Sequence, residues 1–175
     1  INTVDKKKLT DNEEFKNIMI AVGLRLGEKV TNVSDLRYSK IAIATDADAD
    51  GNHIVGLIIS NMYNLWPELF EFGVIHRFIT PLIKIWTKQG DVLSFYTEAE
   101  FQAWKSKNEK NIKNYKYYKG LGTSSADDFR EYLSNLDNHL LKIDASSAKT
   151  AELIDIVFGK ESGSADKRKL WLDLQ

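Results

Sequence analysis

Apolar positions along the chain follow two rhythms: a recurrence every third or fourth residue, and short unbroken runs. Phe15, Ile18, Met19 and Val22 form one face of a first helix, and Thr10 with Glu13 has capping-box spacing at its start. Gly23 and Gly27 bracket its end. Lys40-Ile-Ala-Ile-Ala-Thr45 predicts a short, fully buried strand of the parallel kind. After a polar segment, Ile54, Leu57, Ile58, Met62 and Leu65 mark the stripe of a second helix ending near Pro67. Residues 73–79 predict another strand. Leu82–Thr87 and Val92–Thr97 predict a hairpin across the polar 88–91 turn. Thr97 and Glu100 open a helix carrying Phe101 and Trp104, and Tyr115–Tyr118 is a short strand. A helix from about Ser125 is expected to turn Phe129, Leu133, Leu136 and Leu140 inward, and another to run from about Ala148 to Phe158, stopped by Gly159. Strands alternating with helices predict an α/β fold with a mainly parallel sheet flanked by helices.

With 175 residues and 43% hydrophobic content, the chain can bury one sizeable core. The absence of cysteine excludes disulfides and thiolate zinc sites, and His53, His76 and His139 do not form a ligand pair at helical spacing. No apolar stretch approaches the roughly 20 residues that span a bilayer, and no long apolar segment follows the lysines of residues 1–8 as a signal peptide requires. An intracellular protein without membrane contact is expected. The net charge of −1 makes no overall case for nucleic acid, but its distribution does. Lysines 105, 107, 110, 113, 116 and 119 stand against one acid, Glu109, with Tyr115, Tyr117 and Tyr118 among them, while aspartates cluster at 46, 48 and 50. A metal at the acidic cluster would let both stretches face one polyanion. A solvated lysine-rich loop is the commoner meaning of a lone lysine run.

Thr45-Asp-Ala-Asp-Ala-Asp-Gly51 directly follows the predicted buried strand, where open α/β sheets bind ligands. In an extended chain Asp46, Asp48 and Asp50 would point to one side. Two carboxylates about 4 Å apart repel by roughly 4 kcal/mol at an effective dielectric near 20, so a proton or a cation must sit among them. All-oxygen ligation favours magnesium or calcium. An EF-hand loop shares this spacing but needs a glutamate at its twelfth position, here Leu57, and a helix before it. The plainer alternative is that the aspartates solvate a turn and cap the helix near His53. Further on, Lys119-Gly-Leu-Gly-Thr123 places a lysine and two glycines ahead of a helix, a pattern that suits phosphate and equally suits a capped strand-to-helix turn. It is not a Walker loop, since the lysine precedes the glycines.

Three ordered stretches, Thr45–Ile54, Ile79-Thr-Pro-Leu-Ile-Lys84 and Lys116–Thr123, together resemble the TOPRIM region of type IIA DNA topoisomerases, closer to eukaryotic and large-phage enzymes than to bacterial gyrase. Glu131-Tyr-Leu-Ser-Asn-Leu136 and Asp166-Lys-Arg168 are similar to later parts of that family. The resemblance implies a TOPRIM-like, Rossmann-type fold over 1–130 and a helical extension over 131–175. It implies an ATP-dependent type II topoisomerase component acting in magnesium-dependent, reversible cleavage of double-stranded DNA and strand passage. Asp46 and Asp48 would be the main Mg2+ ligands, with Asp50 a nearby or second-ion ligand. His53, Lys84, Lys119, Gly120, Gly122 and Thr123 would meet DNA, and Asp46, Asp48 and Lys119 would serve catalysis.

Asn52 stands where the family usually has serine. The family's Glu-Gly-Asp-Ser-Ala motif and its nucleophilic tyrosine have no counterpart in this sequence. A fragment or split subunit is therefore expected, working with an ATPase part and with a breakage subunit or domain that carries the tyrosine. Two other readings share the acidic cluster: a TOPRIM-type nuclease or primase-like protein, and a non-catalytic TOPRIM interaction domain.

Overall fold

The computed structural model describes residues 11–145, 147–159 and 163–173. The chain divides into two compact units, one of residues 1–41, 56–76 and 142–175, the other of 42–55 and 77–141.

In the first unit, α1 (Glu13–Val22) buries Phe15, Met19 and Val22. Its cap is Asn12, whose side chain accepts the Phe15 N–H at 2.7 Å; the predicted Thr10 cap lies outside the described residues. Gly23 ends the helix at φ +90°, a left-handed conformation that glycine adopts without steric penalty. The chain then runs through β1 (Ile41–Ala44) and α2 (Ala49–Leu65) to the short α3 (Glu68–Glu71). Fully buried Trp66 donates its indole N–H to the carbonyls of Arg25 and Glu28, fixing the loop after α1. At the C-terminal end, α6 (Thr150–Phe158) packs on α7 (Ser164–Asp173). Gly56 of α2 lies so close to Phe158 that an added methyl would fall 2.3 Å from the ring.

Strands β1, β2 (Ile75–Phe78) and β6 (Leu140–Lys142) form one sheet in that order. The Ile79 N–H bonds the His139 carbonyl while the Ile143 N–H bonds that of Ile75, so β6 runs antiparallel to β2. In the second unit, β3 (Ile83–Thr87) lies between β4 (Val92–Phe95) and β5 (Ile112–Tyr117), antiparallel to both. The expectation of a mainly parallel sheet is thus corrected to a mixed α/β arrangement rich in antiparallel pairs. The 88–91 turn is too short for the crossover that parallel strands need. One face of the second sheet packs Ile83, Ile85 and Phe95 against Phe101 of α4 (Glu98–Asn108), whose predicted Thr97–Glu100 capping box is present.

The helix from Ser125 is shorter than expected. α5 (Ala126–Ser134) stops where Asn135 leaves helical geometry at φ −121°, ψ 41°; a 3-10 turn follows, and Leu140 enters β6. Leu133, predicted inward, is 61% exposed, and Tyr132 is fully buried in its place. The stretch after residue 131 therefore contains a strand as well as helices.

Candidate functional site

β1 ends at the acidic segment, but that segment is not extended. Its backbone bends at Ala47 and Asp48 and is helical from Ala49. The same-side premise therefore fails: Asp50 belongs to the first turn of α2, while Asp48 caps that helix, its Oδ1 accepting the Gly51 N–H at 2.7 Å. Asp46 has a different partner. Its Oδ1 accepts the backbone N–H of Leu121, 75 residues away, at 2.7 Å. Two glycines make room for it. A methyl on Gly51 would fall 2.1 Å from the Asp46 carbonyl oxygen, and one on Gly120 would fall 2.6–2.7 Å from its carboxylate atoms.

The glycine loop is thereby joined to the acidic segment. Lys119 is exposed between buried Tyr118 and half-buried Gly120. Thr123 closes the 3-10 turn Leu121–Thr123, its N–H and hydroxyl both donating to the Gly120 carbonyl at 3.0 and 2.6 Å. Gly122 is exposed, with open space where a side chain would go, and His53 is exposed on α2. Asn52, directly after the acidic segment, accepts a 2.6 Å bond from the Arg77 guanidinium. A cavity of about 370 Å³ opens beside this bond, lined by Thr45, Ala47, Asn52, Arg77, Tyr96 and Thr97 among others.

Lys84 belongs elsewhere. It is 2% exposed, and its Nζ donates to Glu131 at 2.8 Å and Asp128 at 3.3 Å and lies 5.0 Å from the centre of the Tyr132 ring. Burial works to lower its pKa, but the Glu131 bond, the Tyr132 field and the Asp128 bond together outweigh burial and raise it. In this structure the Lys84 ammonium, expected to meet DNA, is engaged in ion pairs with Glu131 and Asp128. Asp128 shows the converse. Burial pushes its carboxyl up, yet bonds from Ser125, Tyr118 and Lys84 bring it well below the usual carboxylate range.

The interleaved tyrosines separate in the same way. Tyr118 is buried, its hydroxyl driven up by burial and by the bond it donates to Asp128. Tyr117 donates to Glu98, which raises its hydroxyl to about 12, and Tyr115 is 56% exposed.

Among the described residues, no group of three or more histidine, aspartate or glutamate side chains is arranged to hold a metal ion. Asp46, Asp48 and Asp50 do not make a closed cage. What they offer is exposed carboxylate oxygen at a helix start, two of them already oriented by backbone N–H groups. Such a set fits magnesium better than calcium, because magnesium keeps several waters and commonly takes one or two carboxylates plus substrate phosphate.

Residues 78–174 match the family model described as the C-terminal associated domain of TOPRIM. The chain belongs to that family. The TOPRIM-associated match takes in the second sheet and the glycine loop, and the acidic segment lies ahead of it. Similarity to whole relatives reaches further. DNA topoisomerase 2 of Bombyx mori is 39% identical over 98% of this chain, and that of Arabidopsis thaliana is 39% identical over 94%. The chain spans 11% of the length of each of these relatives. The crystal structure of the DNA-binding, cleavage and re-ligation domain of Plasmodium falciparum topoisomerase II superposes on 95% of this chain with a TM-score of 0.83 at 37% identity, the chain covering 23% of that one. The kinship with type II topoisomerases read from the three motifs is borne out. Among the described residues no helix is long and apolar enough to cross a membrane.

Sequence reading missed three participants. The Leu121 N–H leaves no trace in a sequence, since any residue except proline supplies it. Asp128 could have been found, because Ser125 and Asp128 have capping-box spacing. The Arg77–Asn52 bond links residues whose approach no local pattern announces.

Proposed function

We propose that this chain is the part of an ATP-dependent type II DNA topoisomerase that supplies magnesium ligands and DNA-backbone contacts for reversible double-strand cleavage and strand passage. One observation carries this reading: the Asp46 carboxylate is bonded to the Leu121 N–H, joining the acidic segment to the glycine loop. The names of the relatives support it, as does their similarity across both motifs. β1, the acidic segment and α2 are read as the Rossmann-type portion of a TOPRIM fold.

Asp46 and Asp48 would hold Mg2+, with Asp50 nearby, and waters and a DNA phosphate would complete its shell. When bound, the ion would supply Lewis-acid stabilisation of charge on the scissile phosphate and the departing 3′ oxygen. The protein's own contribution is placement. The Leu121 N–H orients Asp46, and the α2 cap orients Asp48. Lys119 projects from the loop that touches Asp46 and gives a cation for backbone phosphate. Gly120, Gly122 and Thr123 of that loop would meet the DNA backbone, as would His53, exposed on α2. The ATPase part and the breakage part carrying the tyrosine would come from the remainder of the enzyme.

The test is Asp46→Ala or Asp48→Ala in the reconstituted enzyme, assayed for DNA cleavage and relaxation over a magnesium titration. Loss of both activities is expected; full activity in either variant removes the proposal.

A further inference from the structure

Two ends of one loop meet on a single carboxylate. At the start, the Tyr118 hydroxyl donates to Asp128 Oδ1 at 3.0 Å. At the end, the Ser125 N–H and hydroxyl donate to Asp128 Oδ2 at 2.9 and 2.8 Å. Between them runs the segment that presents Lys119 and the Leu121 N–H. We propose that Asp128 is a positioning residue, a clasp that closes the 118–125 loop and thereby sets the Leu121 N–H against the Asp46 carboxylate. The catalytic consequence of this clasp rests on the function proposed above; its geometry does not.

An ionised carboxylate is the group this place requires. Lys84 reaches Oδ1 at 3.3 Å and Lys116 reaches Oδ2 at 3.4 Å, so both oxygens are filled entirely by donors. A carboxylate offers about four acceptor positions, whereas an amide has one oxygen and would turn its own donors toward Tyr118, Ser125 or the lysines. The Asp128 side chain is 13% exposed and that of Lys84 3%. Low exposure strengthens each bond and makes a missing partner costly. Tyr118 is anchored independently of Asp128, through its N–H to the Leu82 carbonyl at 2.8 Å and beneath the Lys116 ammonium, 4.4 Å from the ring centre. The clasp therefore ties the loop to β3 and β5, while Lys119, Gly122 and Thr123, which it holds, remain exposed.

A plain helix cap would need Ser125 and Asp128 alone. The Tyr118 hydroxyl and the buried Lys84 go beyond that need and distinguish the two roles.

The decisive measurement is amide hydrogen exchange at Leu121 in the wild-type chain, in Asp128→Asn and in Tyr118→Phe. Exchange should speed by about tenfold in each variant, the effect of one ordinary hydrogen bond, while the amides of Ile83 and Ile85 in β3 stay protected. Unchanged Leu121 exchange in Tyr118→Phe overturns the clasp. That variant keeps the ring and the Ser125 cap, so it decides the matter even if Asp128→Asn does not fold. In the reconstituted enzyme, Tyr118→Phe should raise several-fold the magnesium concentration needed for half-maximal DNA cleavage while cleavage at saturating magnesium is retained. General loss of stability would not produce such a split. A loosened Leu121 with an unmoved magnesium curve overturns the positioning role. Retained cleavage in Asp46→Ala would instead refute the functional reading, with the exchange result still judging the clasp.

Discussion

Replacing Gly120 by alanine isolates the contact on which the site depends. The added methyl would fall 2.6 Å from Asp46 Cγ and 2.7 Å from both carboxylate oxygens, where ordinary van der Waals contact begins near 3.4 Å. Gly120 has φ −178°, an extended backbone that alanine adopts freely, so nothing but this collision is at stake. The Asp46 carboxylate must retreat by about 0.8 Å. Retreat on that scale carries a 2.7 Å bond out to the limit of hydrogen bonding. A bond to a charged group is worth about 1.5–3 kcal/mol, and because Asp46 is exposed the lower end applies, roughly tenfold in an opening equilibrium. Leu121 amide exchange should accelerate by about that factor in Gly120→Ala. Gly122→Ala is the matched comparison: no atom lies within 4 Å of the added methyl, so Leu121 protection should be unchanged. Equal protection in the two variants would refute the idea that Gly120 is glycine because of Asp46.

Three further outcomes are expected. Asp48→Ala should cost about 0.5–2 kcal/mol in urea unfolding through loss of the α2 cap, whereas Asp48→Asn should keep the cap, yet both should lose magnesium-dependent cleavage; cleavage retained in Asp48→Asn would leave only the capping role. Gly56→Ala should destabilise by about 1–3 kcal/mol despite alanine's better helix propensity, because the methyl meets the Phe158 ring at 2.3 Å; a raised urea midpoint would contradict this. Since the bonds from Ser125, Tyr118 and Lys84 hold the Asp128 carboxyl below the ordinary carboxylate range, its contribution is complete above that range and drains away as pH falls toward the depressed folded-state pKa. The gap in urea stability between wild type and Asp128→Asn should therefore narrow between about pH 5 and pH 2, and a constant gap would argue against an ionised clasp.

Legibility in the sequence followed the range of the forces involved. Local devices were readable: the capping box at Thr97, the 88–91 turn, the β1–acid–α2 order and the left-handed Gly23 all rest on residues within a few positions of one another. Alternation misled at Asp46, Asp48 and Asp50, because the chain enters α2 at Ala49 and helical geometry replaces the two-residue period. Leucine spacing misled past Ser134, where the Asn135 backbone ends the helix and leaves Tyr132 to fill the core in place of Leu133. The partners of Lys84 were illegible for a different reason: Asp128 and Glu131 reach it across 44 and 47 residues, a separation that no local pattern announces.

The central claim is that the acidic segment and the glycine loop form one divalent-ion site, and manganese, a paramagnetic stand-in for magnesium, tests it most directly. In amide spectra of the chain, substoichiometric Mn2+ should broaden Asp48, Gly51, Gly120 and Leu121 first and leave Ile83 and Ile85 sharp, with the effect abolished by excess Mg2+ and by Asp46→Ala. Broadening confined to the acidic segment, or spread evenly over the surface carboxylates, would contradict it.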